Sequence, residues 1–225
     1  MIALLDLGVG NLSSVQSGFK RAGAETALVQ NRAAWDALTQ TTAVTGVVLP
    51  GVGAFGDAMF QLRSSGLLEV VRRAAKQEIP LFGICLGMQL LFSVSEEHGS
   101  HVGLGLLPGR VTRFTGDVKI PHMGWNSLSY VAEHPLLRNV HREEYVYFVH
   151  SYYVVLQDPG HLLAAADYGG VQVPAVVGKN RIFGAQFHPE KSGSVGEQIL
   201  RNFAALCEAD RRGQSRAEEA VSHDR

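Results

Sequence analysis

The sequence predicts an α/β fold, with a central, mostly parallel sheet flanked by helices and a second half richer in strands of mixed direction. Three observations carry that expectation. Short, wholly apolar runs at residues 2–5, 27–29, 46–49 and 81–84 are separated by stretches long enough for helical crossovers, the pattern of parallel strands buried on both faces. From about Leu104 the texture changes to β-branched and aromatic stretches at 110–114, 145–149, 152–156, 163–166 and 171–177. Finally, 225 residues that are 46% hydrophobic and 18% charged suffice to bury a substantial core.

The first strand ends in Asp6 and the turn Gly8-Val9-Gly10, after which Asn11 is placed to cap a helix running to about Arg21. The unit then recurs. Strand 27–29 precedes strand 46–49, which leads into Pro50-Gly51-Val52-Gly53; helix 67–78 and strand 81–84 follow. Beyond the mixed strands, 181–187 reads as another core strand, and 193–207 as a closing helix with Ile199, Phe203 and Leu206 on one face. One domain is therefore expected over 1–207. Residues 208–225 offer almost nothing to bury and read as a frayed, dispensable polar tail.

Composition excludes several classes. Twenty Lys plus Arg against twenty-one Asp plus Glu gives a formal charge of −1, without the basic excess that attracts nucleic acid or anionic lipid. Cys85 and Cys207, both in apolar stretches, make no disulfide framework, which points to a reducing, cytoplasmic setting. The N-terminus reaches Asp6 too early for a signal peptide, and no apolar run approaches the roughly 20 residues of a membrane helix.

The most informative segment is Gly83-Ile84-Cys85-Leu86-Gly87, where a buried strand meets a helix with Cys at the junction and Gly two residues to either side. This G-x-C-x-G pattern is a nucleophile elbow: the sharp turn projects the central side chain, and the glycines avoid collision with the neighbouring strand and helix. Backbone N–H groups and the helix dipole at the junction favour a thiolate and offer an oxyanion site. Taken alone, Cys85 would read as a small buried apolar residue, which is how Cys207 reads. A thiolate that expels an amine also needs a proton carrier. Phe187-His188-Pro189-Glu190 supplies one at the end of a core strand, with His188 as base and Glu190, two residues on and pointing the same way, as its orienting carboxylate.

Together, the elbow, the Pro50–Gly53 loop and His188-Pro189-Glu190-Lys191-Ser192 resemble a class I, triad-type glutamine amidotransferase. More narrowly, Lys119-Ile120-Pro121-His122-Met123-Gly124-Trp125-Asn126, Tyr147-Phe148-Val149-His150-Ser151-Tyr152, and Asp6 to Asn11 with Leu12-Ser13-Ser14-Val15 resemble the glutaminase subunits of imidazole glycerol phosphate synthase. The resemblance runs from the first strand to about Leu206 and implies a flavodoxin-like sheet and a Cys85–His188–Glu190 triad. It implies an oxyanion held by backbone groups of Leu86 and the Gly51-Val52-Gly53 loop, with Gln89, Glu97, His150, Ser151 and Tyr152 near the substrate glutamine. No cofactor and no metal are implied.

Attack of Cys85 on the glutamine amide would release ammonia and leave a thioester for water to hydrolyse. Because the resembling region occupies nearly the whole chain, the domain that uses the ammonia is expected on a separate partner. The resemblance names it as a (β/α)₈-barrel synthase in histidine biosynthesis. Pro121, His122, Met123, Gly124, Trp125 and Asn126, with Lys191, are the expected docking face. Three alternatives stay open: a glutaminase feeding another synthase, a triad cysteine peptidase or γ-glutamyl hydrolase, and a non-catalytic interaction module. Gly8-Val9-Gly10 lacks the rest of a dinucleotide fingerprint, and His98 and His101, in a polar loop, lack further ligands.

Overall fold

The computed structural model describes the backbone of residues 1–223 and the side chains of residues 1–209. Its first half alternates strands β1 (Ile2–Leu5), β2 (Thr26–Val29), β3 (Gly46–Gly51) and β4 (Leu81–Cys85) with helices α1 (Leu12–Arg21), α2 (Arg32–Thr41), α3 (Phe55–Ser64) and α4 (Leu67–Lys76). The one-turn helix α5 (Leu86–Leu90) follows directly. Then come β5 (Phe92–Ser95), β6 (His101–Val102), β7 (Leu107–Arg113), β8 (His122–Ser127), β9 (Tyr130–Val131), β10 (Tyr145–His150) and β11 (Tyr152–Leu156). Strands β12 (Leu162–Tyr168), β13 (Val171–Lys179) and β14 (Ile182–Ala185), and helix α6 (Gly193–His223), complete the chain.

Among the described residues the strands form three sheets. The main one has the order β2-β1-β3-β4-β14-β13-β12-β9, parallel from β2 through β14 and antiparallel beyond it. β10 and β8 make a two-stranded antiparallel ribbon, and β11-β7-β5-β6 make a third sheet. The expected α/β class with a mixed second half is therefore what the chain adopts. Period-2 alternation splits the core: Ile2 and Leu4 join Phe19, Phe82 and Phe203 on one face, while Ala3 and Leu5 join Trp35, Leu49 and Phe55 on the other.

Asn11 caps α1 as expected, its side chain accepting from the N–H of Ser14. Helices α2 and α3 add to the expected elements; in α3, Phe55, Met59 and Leu62 lie at helical spacing and are buried. The closing helix needs a correction. Among the described side chains Cys207 is the last buried one on it, and the backbone is helical to His223, through a stretch rich in Glu, Ala, Arg and Gln, which propagate a helix well. Of the expected polar tail 208–225, the side chains beyond residue 209 lie outside the described residues. Among the described residues no helix is long and apolar enough to cross a membrane.

Candidate active site

Cys85 closes β4, and Leu86 opens α5. The cysteine sits at φ 54°, ψ −111°, a positive φ that non-glycine residues rarely adopt. Its flanks show why the chain is so tight there. A Cβ on Gly83 would lie 2.6 Å from the carbonyl oxygen of Gly87, and one on Gly87 would lie 1.7 Å from that of Leu49. Only glycine fits at both places, so the reversal is sharp and Cys85 projects from it. The expected helix dipole is corrected, however. With five residues, α5 sums few peptide dipoles, and what remains is the local set of N–H groups at its start.

A cleft of about 380 Å³ opens over the sulfur. It brings together Cys85, His188, Leu86, and Val52 and Gly53 of the loop after β3. The expected glutamine contacts Gln89, Glu97, His150, Ser151 and Tyr152 all line it as well. Gly51 lies beside Cys85 in the β3–β4 register, which carries the loop to the nucleophile. Gly53 takes φ +99°, a conformation open to glycine. Glu97 is fixed at the wall because one carboxylate oxygen accepts from the N–H of Phe55 at 2.7 Å. A larger, more open depression of about 680 Å³, around Val131 to Arg142, lies apart from this chemistry.

His188 leaves the end of β14 and is tied to β10: its N–H donates to the carbonyl of Tyr147 at 3.0 Å, and its own carbonyl accepts from the Ser192 hydroxyl at 2.6 Å. Nδ1 is paired with Glu190 Oε1 at 2.8 Å, and both side chains are buried. This leaves Nε2, buried and among the described residues without a hydrogen-bond partner of ordinary geometry, on the side of the sulfur. Burial alone would lower the affinity of the ring for a proton. Hydrogen bonding and charge from Cys85 and Glu190 outweigh it and raise the His188 pKa to about 9. The direction of that shift favours the imidazolium over the neutral ring.

Beside this charged pair lies a neutral one that no sequence spacing reveals. His150 Nδ1 is 2.8 Å from the Tyr152 carbonyl, which only accepts, so Nδ1 carries the hydrogen and Nε2 is the acceptor in the neutral ring. His122 Nδ1, 3.0 Å from that Nε2, must then donate, and His122 Nε2 accepts from Asn126 Nδ2 at 3.3 Å. Burial pushes His122 down to about 4 and His150 down to about 3, the latter aided by repulsion from His122 and His188. Gln89 Nε2 donates to the same Tyr152 carbonyl at 2.9 Å and to Gln186 Oε1 at 3.1 Å. Gln186 is absent from the expected site, although it stands two residues before His188 at the end of the segment read as strand 181–187; β14 itself stops at Ala185.

The expected docking segment divides by strand alternation. Met123 and Trp125 are 60% and 56% exposed, and Lys191 is exposed too. His122 is corrected: it is 2% exposed and faces inward, stacked on Phe148 and Tyr168. Pro121 lines the cleft rather than the outer face, and Gly124 and Asn126 are half-buried. Trp125 packs edge-on against Tyr147, whose ring carries Lys191 Nζ 5.9 Å from its centroid.

Fold and family together define an amide-cleaving glutamine amidotransferase on an α/β sheet: residues 3–207 match the model of the family described as glutamine amidotransferase class-I. The chain belongs to that family, in the group of HisH subunits of imidazole glycerol phosphate synthase. It is 50% identical over 213 residues to the imidazole glycerol phosphate synthase subunit HisH of Halobacterium salinarum, covering 92% of this chain and 93% of that one. It is 49% identical to the HisH of Geobacillus kaustophilus, covering 92% and 97%. Among solved structures, one described as a glutamine amidotransferase superposes with a TM-score of 0.70 at 20% identity, over 92% of this chain and 98% of that one. PurLQS from Thermotoga maritima gives 0.68 at 18%, over 90% and 96%. At those identities the two structures speak for the fold alone.

Proposed function

We propose that Cys85, His188 and Glu190 carry out the glutamine hydrolysis of this HisH-type subunit, and that the ammonia passes to a separate (β/α)₈-barrel synthase subunit docked on the Met123–Trp125–Tyr147–Lys191 face. The observation that carries the reading is the cleft in which Cys85 and a His188 cation meet, backed by a buried carboxylate. The thiolate attacks the side-chain carbonyl carbon of glutamine, and the oxyanion is held by backbone N–H groups of Leu86 and the Val52–Gly53 loop. Collapse of the tetrahedral adduct breaks the C–N bond as His188 gives its proton to the departing amine. The neutral ring then takes a proton from water, whose oxygen attacks the thioester and releases glutamate and the thiolate. Gln89, Glu97, His150, Ser151 and Tyr152 hold the amino-acid end of the substrate.

Bulk water at neutral pH converts most ammonia to non-nucleophilic ammonium, so the synthase half-reaction needs a covered route from cleft to acceptor. The exposed aromatic face beside the cleft suits that union, since Trp and Tyr supply contact area at small entropic cost. A nucleophile that must stay a free thiol suits the reducing cytoplasm, where we place the reaction. In the assembled synthase, Cys85→Ala abolishes glutamine-dependent imidazole glycerol phosphate formation and leaves formation from ammonium salts intact; loss of both with normal docking would refute the division of labour. Trp125→Ala weakens co-purification with the synthase subunit by roughly tenfold or more in Kd, read by titration calorimetry, with the thermal midpoint of the free subunit unchanged.

A further inference from the structure

We propose that Gln186 is a hydrogen-bond donor to the Cys85 sulfur, its carboxamide held in that orientation by Gln89, so that it favours the thiolate needed for attack. The inference rests on the nucleophilic role of Cys85 given above and adds a residue to it. Gln186 is 0% exposed, and a buried carboxamide is costly unless its polar atoms are paired. Its Nε2 lies 3.9 Å from Cys85 Sγ, within reach of an N–H to sulfur bond, and among the described residues the sulfur is the partner of that nitrogen.

The polarity of the amide follows from its neighbours. The Tyr152 carbonyl can only accept, so the atom of Gln89 facing it at 2.9 Å is the amide nitrogen. The second hydrogen of that nitrogen points to Gln186 at 3.1 Å, which obliges Gln186 to present its oxygen there. Its nitrogen is then the atom turned toward Cys85. A flipped Gln186 would set two NH₂ groups against each other, and turn toward the sulfur a carbonyl oxygen that a thiolate repels. The bond matters for the protonation state because the thiol has an outlet of its own: Cys85 Sγ lies 3.9 Å from the Val149 carbonyl, to which an S–H donates and which a thiolate would repel. A donor on the sulfur offsets that repulsion and stabilises the charged form.

The test is the pH dependence of carbamidomethylation of Cys85 by iodoacetamide in the full-length protein, with the adduct located by peptide mass spectrometry. The titratable groups facing the sulfur are His188, with Glu190 behind it, from the end of β14, His150 from β10, and Glu97 and Tyr152 across the cleft; all are left in place. Gln186→Met removes the donor, and Gln186→Glu keeps an oxygen for Gln89 while replacing the donor by a second oxygen. The half-maximal pH rises by about 1 for Met and by more for Glu. A space-filling role alone would alter the yield of folded protein without moving the midpoint. If one variant fails to fold, the other carries the measurement. Midpoints equal to wild type in the folded variants overturn the inference. A wild-type Cys85 no more reactive than an ordinary thiol overturns the nucleophile itself, and this inference with it.

Discussion

His188 and the pair His122–His150 are buried to the same degree, at 4%, 2% and 6% exposure, yet they are held in opposite charge states. His188 is raised to about 9, while His122 and His150 are lowered to about 4 and 3. Burial acts on all three in the same direction, so the difference lies in the partners. His188 bonds a carboxylate and faces a sulfur that becomes negative. The other two meet a backbone carbonyl, a carboxamide, each other, and the rings of Phe114, Phe148 and Tyr168. Reaction chemistry needs a proton that can leave, whereas substrate positioning needs donors and acceptors that stay put. Cys85 and Glu190 beside His188 make the difference.

The largest effect should come from removing that carboxylate's charge. Glu190→Gln keeps the shape but leaves Cys85 alone to oppose burial, so the His188 pKa falls from about 9. Glutamine-dependent kcat/KM in the complex drops by about 10² or more, and its alkaline limb, near pH 9 in the wild type, moves to lower pH. A variant slowed with the alkaline limb unmoved would show that Glu190 only orients the ring.

The converse change tests the other half. Asn126→Asp brings a carboxylate to His122 Nε2, where the amide nitrogen now stands 3.3 Å away. His122 should then titrate well above its present value of about 4, by roughly 2 pH units or more, followed by NMR of the ring protons. Turnover falls less than for Glu190→Gln, because His122 Nδ1 still donates to His150. A His122 that stays near 4 would mean that burial, and not the absence of an anion, decides its state.

This contrast also marks what was legible in the sequence. The elbow and His-x-Glu were readable because their chemistry is local: two glycines two residues from a cysteine, and a carboxylate two residues from a histidine, although a short 3-10 turn at Pro189–Lys191, not an extended strand, brings that carboxylate to the ring. The parallel half of the sheet was readable for a similar reason, since runs such as Ile2–Leu5 are buried on both faces. The neutral relay was not, because His122, His150 and Gln89 come from β8, β10 and α5, and their pairing depends on ribbon register and not on spacing. The same register explains the error at His122. A segment rich in Trp and Met looked like one surface, but a strand shows alternate residues to opposite sides, and His122 falls on the inner one.

The smallest effect is on stability, and its sign differs between the two regions. His122 and His150 have folded pKa values below the unfolded value of about 6.5, so the unfolded chain binds more protons between that pH and about 3. Stability is therefore lost as pH falls through this window. His188 has its folded pKa above the unfolded one, so its contribution is complete below about 6.5 and is lost as pH rises toward about 9. Urea midpoints should peak near neutrality and decline on both sides, each tenfold difference in proton affinity between the folded and unfolded chain contributing at most about 1.4 kcal/mol. His122→Phe, which keeps a ring against Phe148 and Tyr168, should flatten the acid limb and leave the alkaline limb alone, while His188→Ala should act mainly on the alkaline limb, with a smaller effect on the acid one through its repulsion of His150. If each substitution flattened both limbs alike, the two histidine systems would be a single coupled unit, and the partition of charged chemistry from neutral positioning would fail.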